Sequence, residues 1–289
     1  MAKSRPLRRF SKKCIKMKLS NLWSLLFIAV LSLGLSACGG NATQSDAAAT
    51  TETKTETPAA PEIKLTPFPP SPEFMDAAIN SMTYKDKKFK FVIAGDSYKL
   101  GAQTPDAPQK MCANSGKGQH IHLIIDNGPY AAKYTDEFEY ELSDGEHYLL
   151  AFLSRSYHES IKTKEAHVAK KITVKDGSIV AEEDITQPML FYSRPKGTYT
   201  GKAETDKVML DFYLVNCTLG DEYKVKVKVN DSAEFTVDKW QPYFLEGLPL
   251  GDNTVTLTLV DAQGNPVDTP LNPVSRTFTL KADPADSVQ

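Results

Sequence analysis

From residue 89 onward, apolar and polar positions alternate in short runs, each broken by turn residues. The first four runs are "FKFVIAG" (89–95), "HIHLIID" (120–126), "GEHYLLAFL" (145–153) and "KKITV" (170–174). Four more follow: "LDFYLVN" (210–216), "KVKVKVN" (224–230), "GDNTVTLTL" (251–259) and "SRTFTL" (275–280). A period of two is that of a half-buried strand. Asp126-Asn127-Gly128, Asp144-Gly145, Asp176-Gly177 and Gln263-Gly264-Asn265 supply turns between the runs. No long amphipathic helix interrupts them. The second four runs lie over the first four in the same order, at offsets of 119, 104, 106 and 106 residues. A repeat of about 100 residues built from short strands predicts an all-β protein of two tandem immunoglobulin-like β-sandwich domains. The cysteine–tryptophan core signature of antibody domains is absent.

The repeat also assigns faces. In "KVKVKV" the lysines belong in water, so Val225, Val227 and Val229 face the core. The matching core positions of the first copy are Ile121, Leu123 and Ile125, which places His120 and His122 on the outer face as surface residues. Two imidazoles at i and i+2 of a strand point the same way, roughly 7 Å apart. The first copy has two further peculiarities. It carries about 15 extra residues near 102–119, which bring Met111 and Cys112 just ahead of His120. Its outer face presents Tyr148, Leu150 and Phe152 where the second copy has Thr254, Thr256 and Thr258. An apolar outer face predicts a cover: the insertion, the other domain or a ligand.

The N-terminus changes the setting. Residues 1–37 hold eight basic residues and no acid, and "LWSLLFIAVLSLGL" (22–35) has the length of a signal-peptide core. The run ends in "LSAC", which resembles a bacterial lipobox with Cys38 as the acylated first residue of the mature protein. Two or three acyl chains hold a protein to a bilayer without spanning it. The expected place is the outer membrane, lipid-anchored, facing the periplasm or the cell surface. Residues 38–72 are rich in Thr, Ala and Pro and read as a flexible tether. The sandwiches are then expected over 73–184 and 187–283.

Charge narrows the partners. The full chain has 34 basic and 36 acidic residues; without the leader 26 basic remain against 36 acidic, a net charge of −10. Such a balance disfavours nucleic acid and leaves protein or peptide ligands. Only Cys112 and Cys217 remain after Cys14 leaves with the leader and Cys38 takes lipid, enough for one bridge at most.

No Gly-x-Ser-x-Gly elbow or cysteine in a catalytic context is present, and Glu182-Glu183-Asp184 reads as a solvated turn, so no enzyme is expected. No cofactor is required either. The alternative is copper or zinc held by Cys112, His120 and His122, a mixed thiolate–imidazole set. The other candidate is "FLSRSYHESI" (152–161), aligned with the "VDAQGN" hairpin tip of the second copy. An exposed loop with Ser154, Arg155 and His158 suits a phosphate through charge-assisted hydrogen bonds.

The lipobox, "KLGAQTPDAPQKMCANSGKGQHIHLIIDN", "AFLSRSYHESIK", "PMLFYSRPKGTY" and "WQPYFLEGLP" together resemble a family of lipoproteins from Bacteroidetes-type bacteria known as phosphopeptide-binding proteins. The resemblance spans nearly all of residues 60–283. "LSRSYHESI" is also similar to the phosphate loop of forkhead-associated domains, with one extra residue before His158. The resemblance implies a non-enzymatic envelope module that binds phosphorylated peptides, with Ser154 and Arg155 on the phosphate.

Overall fold

A computed structural model describes residues 62–287. The leader, the lipobox and Cys38 lie outside the described residues. After β1 (Lys64–Pro67) come β2 (Ala78–Lys85), β3 (Lys88–Ala94), β4 (His120–Ile125), β5 (Ala131–Lys133), β6 (Glu137–Glu139), β7 (Gly145–Ser154), β8 (His167–Lys175) and β9 (Ser178–Asp184). The second half holds β10 (Met189–Arg194), β11 (Gly197–Thr200), β12 (Lys207–Val215), β13 (Tyr223–Val229), β14 (Ala233–Val237), β15 (Tyr243–Glu246), β16 (Gly251–Asp261) and β17 (Val274–Lys281).

The first half is a sheet ordered β2-β3-β6 facing a sheet ordered β5-β4-β7-β8-β9. The second half repeats this as β10-β12-β15 facing β14-β13-β16-β17, with β1 added at one edge and β11 at another. These are two immunoglobulin-like β-sandwiches. The aligned runs occupy equivalent places: β3 with β12, β4 with β13, β7 with β16 and β8 with β17. Alternation puts one face of each strand inward. Ile121, Leu123, Leu149, Ala151 and Leu153 fill the first core with Phe89 and Phe91. Val225, Val227, Val229, Leu257 and Leu259 fill the second with Leu210 and Phe212.

Two features depart from expectation. The stretch 62–72 is not a flexible tether. β1 crosses to the second sandwich and pairs antiparallel with β15, Leu65 opposite Leu245. Ile63 and Leu65 pack on the second core, and Phe68 lies 4.7 Å from Phe244, centroid to centroid. Four prolines mask this in composition, yet Pro67 closes an edge strand, where a missing N–H is tolerated.

The second departure matters more for function. The outer face of the first copy is not a surface. Ile124, Tyr130, Leu150 and Phe152 form a third buried cluster with Met189, Phe191, Tyr213 and Val215 of the second half. Phe152 stacks on Tyr213 with centroids 5.1 Å apart. The cover is thus the other domain. Polar bonds fix the docking: Arg276 donates to the carbonyls of Asn127 and Gly128, each at 2.9 Å, and to those of Tyr192 and Ser193. Fully buried Asp211 accepts from the Ser160 amide at 2.9 Å and pairs with Lys162 at 2.7 Å.

Candidate metal centre

The same docking encloses His120 and His122. Both project from the outer face of β4, as parity requires, and both are 0% exposed. In the β4–β7 ladder, Ser154 stands opposite His120 and Phe152 opposite His122. Beyond β7 the chain makes a tight loop closed by a bridge between Ser154 and Ser160 and by the Arg155 amide donating to the Glu159 carbonyl at 2.9 Å. Within it His158 takes a left-handed backbone, φ 71°, which non-glycine residues adopt rarely and at a cost. That conformation turns its ring back over β4.

Three imidazoles therefore converge. His120 Nε2 lies 2.8 Å from His122 Nε2 and 3.1 Å from His158 Nδ1. One ligand nitrogen from each ring falls within 4.8 Å of the other two. Hydrogen bonding among the rings accounts for only one of the two approaches to His120 Nε2. His120 Nδ1 lies 2.8 Å from the Gly118 carbonyl, which can only accept, so Nδ1 carries the proton and Nε2 is bare. One in-plane lone pair serves one good N–H donor, yet two ring nitrogens approach it. Three ring nitrogens around a shared point, one of them bare, is an arrangement a metal ion would satisfy once His122 Nε2 and His158 Nδ1 take the bare tautomer. Nitrogens bound at about 2.0–2.1 Å lie some 3.3–3.5 Å apart, so small side-chain shifts would admit an ion.

The surroundings keep the rings in the ligating form. Burial pushes the His120 imidazole down to about 4, with Arg194 and Lys196 adding to the fall and the Gly118 bond opposing it. Burial likewise holds His122 and His158 well below the ordinary histidine range, helped by neighbouring imidazoles and the same two cations. All three are neutral at pH 7.

Neighbours fix their orientation. Tyr130 stacks on His122 at 3.7 Å and 9°. Phe152 flanks the same ring at 5.0 Å, and Ser193 of β10 lies 3.3 Å from its Nδ1. Tyr98 donates to the carbonyls of His120 and Ser154, tying β4 to β7 beneath the site. Gly118 must be glycine: its φ is 84°, and a Cβ there would fall 2.3 Å from the Gly101 carbonyl oxygen. Such outer contacts set ligand tautomer and basicity.

The expected set of Cys112, His120 and His122 is corrected in one member. Cys112 packs against a fourth apolar cluster that includes Phe68, Tyr157 and Phe244, where burial pushes its thiol up to about 11. It is absent from the histidine group, and both Cys112 and Cys217 are free thiols. The insertion acts instead as a support. Ser115 donates its amide to the Ser156 carbonyl at 2.9 Å, and the Thr104 hydroxyl accepts from the Ser156 amide at 2.9 Å, holding the His158 loop.

The phosphate loop is likewise not an exposed tip. Ser154 is fully buried and its hydroxyl donates to the Arg155 and Glu159 carbonyls. Arg155 is 6% exposed, donates to the Pro72 carbonyl and faces Glu159, Nε to Oε2 3.6 Å. The hairpin alignment missed this because it carried no information on the segment 68–74 that packs over the loop. It also put His158 on a phosphate rather than beside His120. The signal available was the pairing of Ser154 with His120, which puts His158 within one short loop of the histidine strand.

No family model matches the chain, and no curated protein matches it. Among solved structures, the chain is similar to fibronectin(III)-like modules of Clostridium thermocellum CbhA, with 11% identity and a TM-score of 0.27, covering 78% of this chain and 97% of that one. It is similar to the chicken interferon gamma receptor alpha chain, with 10% identity, a TM-score of 0.21 and coverage of 70% and 97%. A third is Bacteroides ovatus SGBP-B of a mixed-linkage glucan utilization locus, solved with a mixed-linkage heptasaccharide, at 13% identity, a TM-score of 0.20 and coverage of 76% and 71%.

Proposed function

We propose that the protein is a lipid-anchored, non-enzymatic metal-binding protein of the cell envelope, taking copper or zinc on His120, His122 and His158. One observation carries the reading: the bare His120 Nε2 lies within 2.8 and 3.1 Å of two more ring nitrogens, in a site whose rings are neutral. Imidazole suits both metals. Tethering is supported by the "LSAC" lipobox, and an anchored protein would carry the site outside the inner membrane.

The test uses the mature protein purified without a histidine tag. Intact mass spectrometry should find acyl chains on Cys38, and native spectra should find one metal ion per chain. His122→Ala and His158→Ala should each weaken binding roughly tenfold or more, since each removes a ligand rather than an outer contact, whose loss alone costs 10- to 100-fold. Stoichiometric binding that survives both substitutions would place the metal elsewhere, and no binding at all would end the reading.

A further inference from the structure

The geometry points to monovalent copper, rather than zinc or cupric ion, as the metal of the three-histidine site. This rests on the metal-binding reading above and narrows it.

Charge is the first ground. Three neutral imidazoles contribute no negative charge, and the group contains no carboxylate or thiol among the described residues. The nearby charges are positive. Arg194, 4% exposed, spends its hydrogen bonds on the Tyr199 hydroxyl. Lys196 Nζ donates to the Tyr130 carbonyl and sits 4.0 Å from the Tyr130 ring centroid, the ring that stacks on His122. Both cations act on all three histidines. Coulomb repulsion grows in proportion to the charge of the bound ion, so a dication meets twice the opposition of a monocation at the same place. The cost of desolvating an ion grows with the square of its charge, which makes a buried dication without anionic ligands worse still.

Coordination number is the second. Zinc held by three histidines keeps a fourth position for water or substrate. Here His120 and His122 are 0% exposed and Tyr130 and Phe152 close over the His122 ring, so only the half-buried His158 side is open to a fourth ligand. A filled d10 monovalent ion is content with three ligands, and cuprous copper is the ion of that kind that imidazole binds well.

The experiment titrates the untagged mature protein without oxygen, using copper(I) against bathocuproine disulfonate and zinc against a chromophoric chelator. One copper(I) per chain is expected, with an affinity at least about 1000-fold above that for zinc. X-ray absorption should show a cuprous edge with three nitrogen scatterers. Lys196→Met then tests the cause while keeping an apolar stem over Tyr130. Removing one positive charge should tighten zinc by about the square of the factor by which it tightens copper(I), for instance 100-fold against 10-fold, as proportionality to ion charge requires. Zinc bound on the three histidines as tightly as copper(I), or equal gains for both ions in Lys196→Met, would overturn the selectivity and leave the metal reading standing. If neither ion binds, both fail.

Discussion

Arg155→Ala separates an exposed phosphate loop from a buried clamp. The side chains of Arg155 and Glu159 are only 7% and 10% exposed, and their charged atoms face each other at 3.6 Å. Arg155 also donates to the Pro72 carbonyl and lies 5.3 Å over the Phe74 ring, while Glu159 accepts from Ser71. The pair therefore fastens residues 71–74 to the loop that carries His158. Removing one partner of a buried pair strands the other charge and costs about 3–5 kcal/mol. Arg155 Nε has no hydrogen-bond partner, so the pair is imperfect and the lower end, about 3 kcal/mol, is expected. For the roughly 226 residues of 62–287 that corresponds to a fall in Tm of roughly 6–12 °C. Urea denaturation followed by far-UV circular dichroism measures the change. Arg155→Met combined with Glu159→Gln should recover part of the loss, because no buried charge is then left unpaired. A loss below about 0.5 kcal/mol, together with abolished binding of a phosphothreonine peptide, would refute the clamp and restore the exposed phosphate loop.

Phe152→Ala should cost about 3–5 kcal/mol, because the ring is fully buried between His122 and Tyr213; a loss under about 1 kcal/mol in chemical denaturation would mean the outer face is not covered. Acid should destabilise the metal-free protein through the same burial. The folded chain holds His120 down to about 4 and His122 and His158 well below 6.5, so the unfolded chain binds protons first as pH falls through about 6.5 toward 4. Their contribution is intact above that window and is lost through it, at up to about 1.4 kcal/mol per pH unit for each imidazole. A urea midpoint that stays level from pH 7 to pH 5 would contradict neutral, buried rings.

Local pattern carried the fold and part of the site. The period of two and the repeated order of the runs located the strands, because a half-buried strand imposes alternation residue by residue. The lysines of "KVKVKV" identified the core face and so the shared direction of His120 and His122. The apolar outer residues Leu150 and Phe152 even called for a cover. Only the tertiary structure decided what that cover is and what it does to the histidines. Burial of an outer face depends on the fit of two distant surfaces, and Phe191 and Tyr213 carry no mark in the sequence that pairs them with Phe152. His158 is the clearest case. It stands 36 residues beyond His122, and a left-handed turn at the end of β7, locked by Glu159, Ser156 and the insertion, swings its ring into the site. Composition likewise misread β1, since a short proline-rich strand becomes ordered only by pairing with β15, nearly 180 residues away.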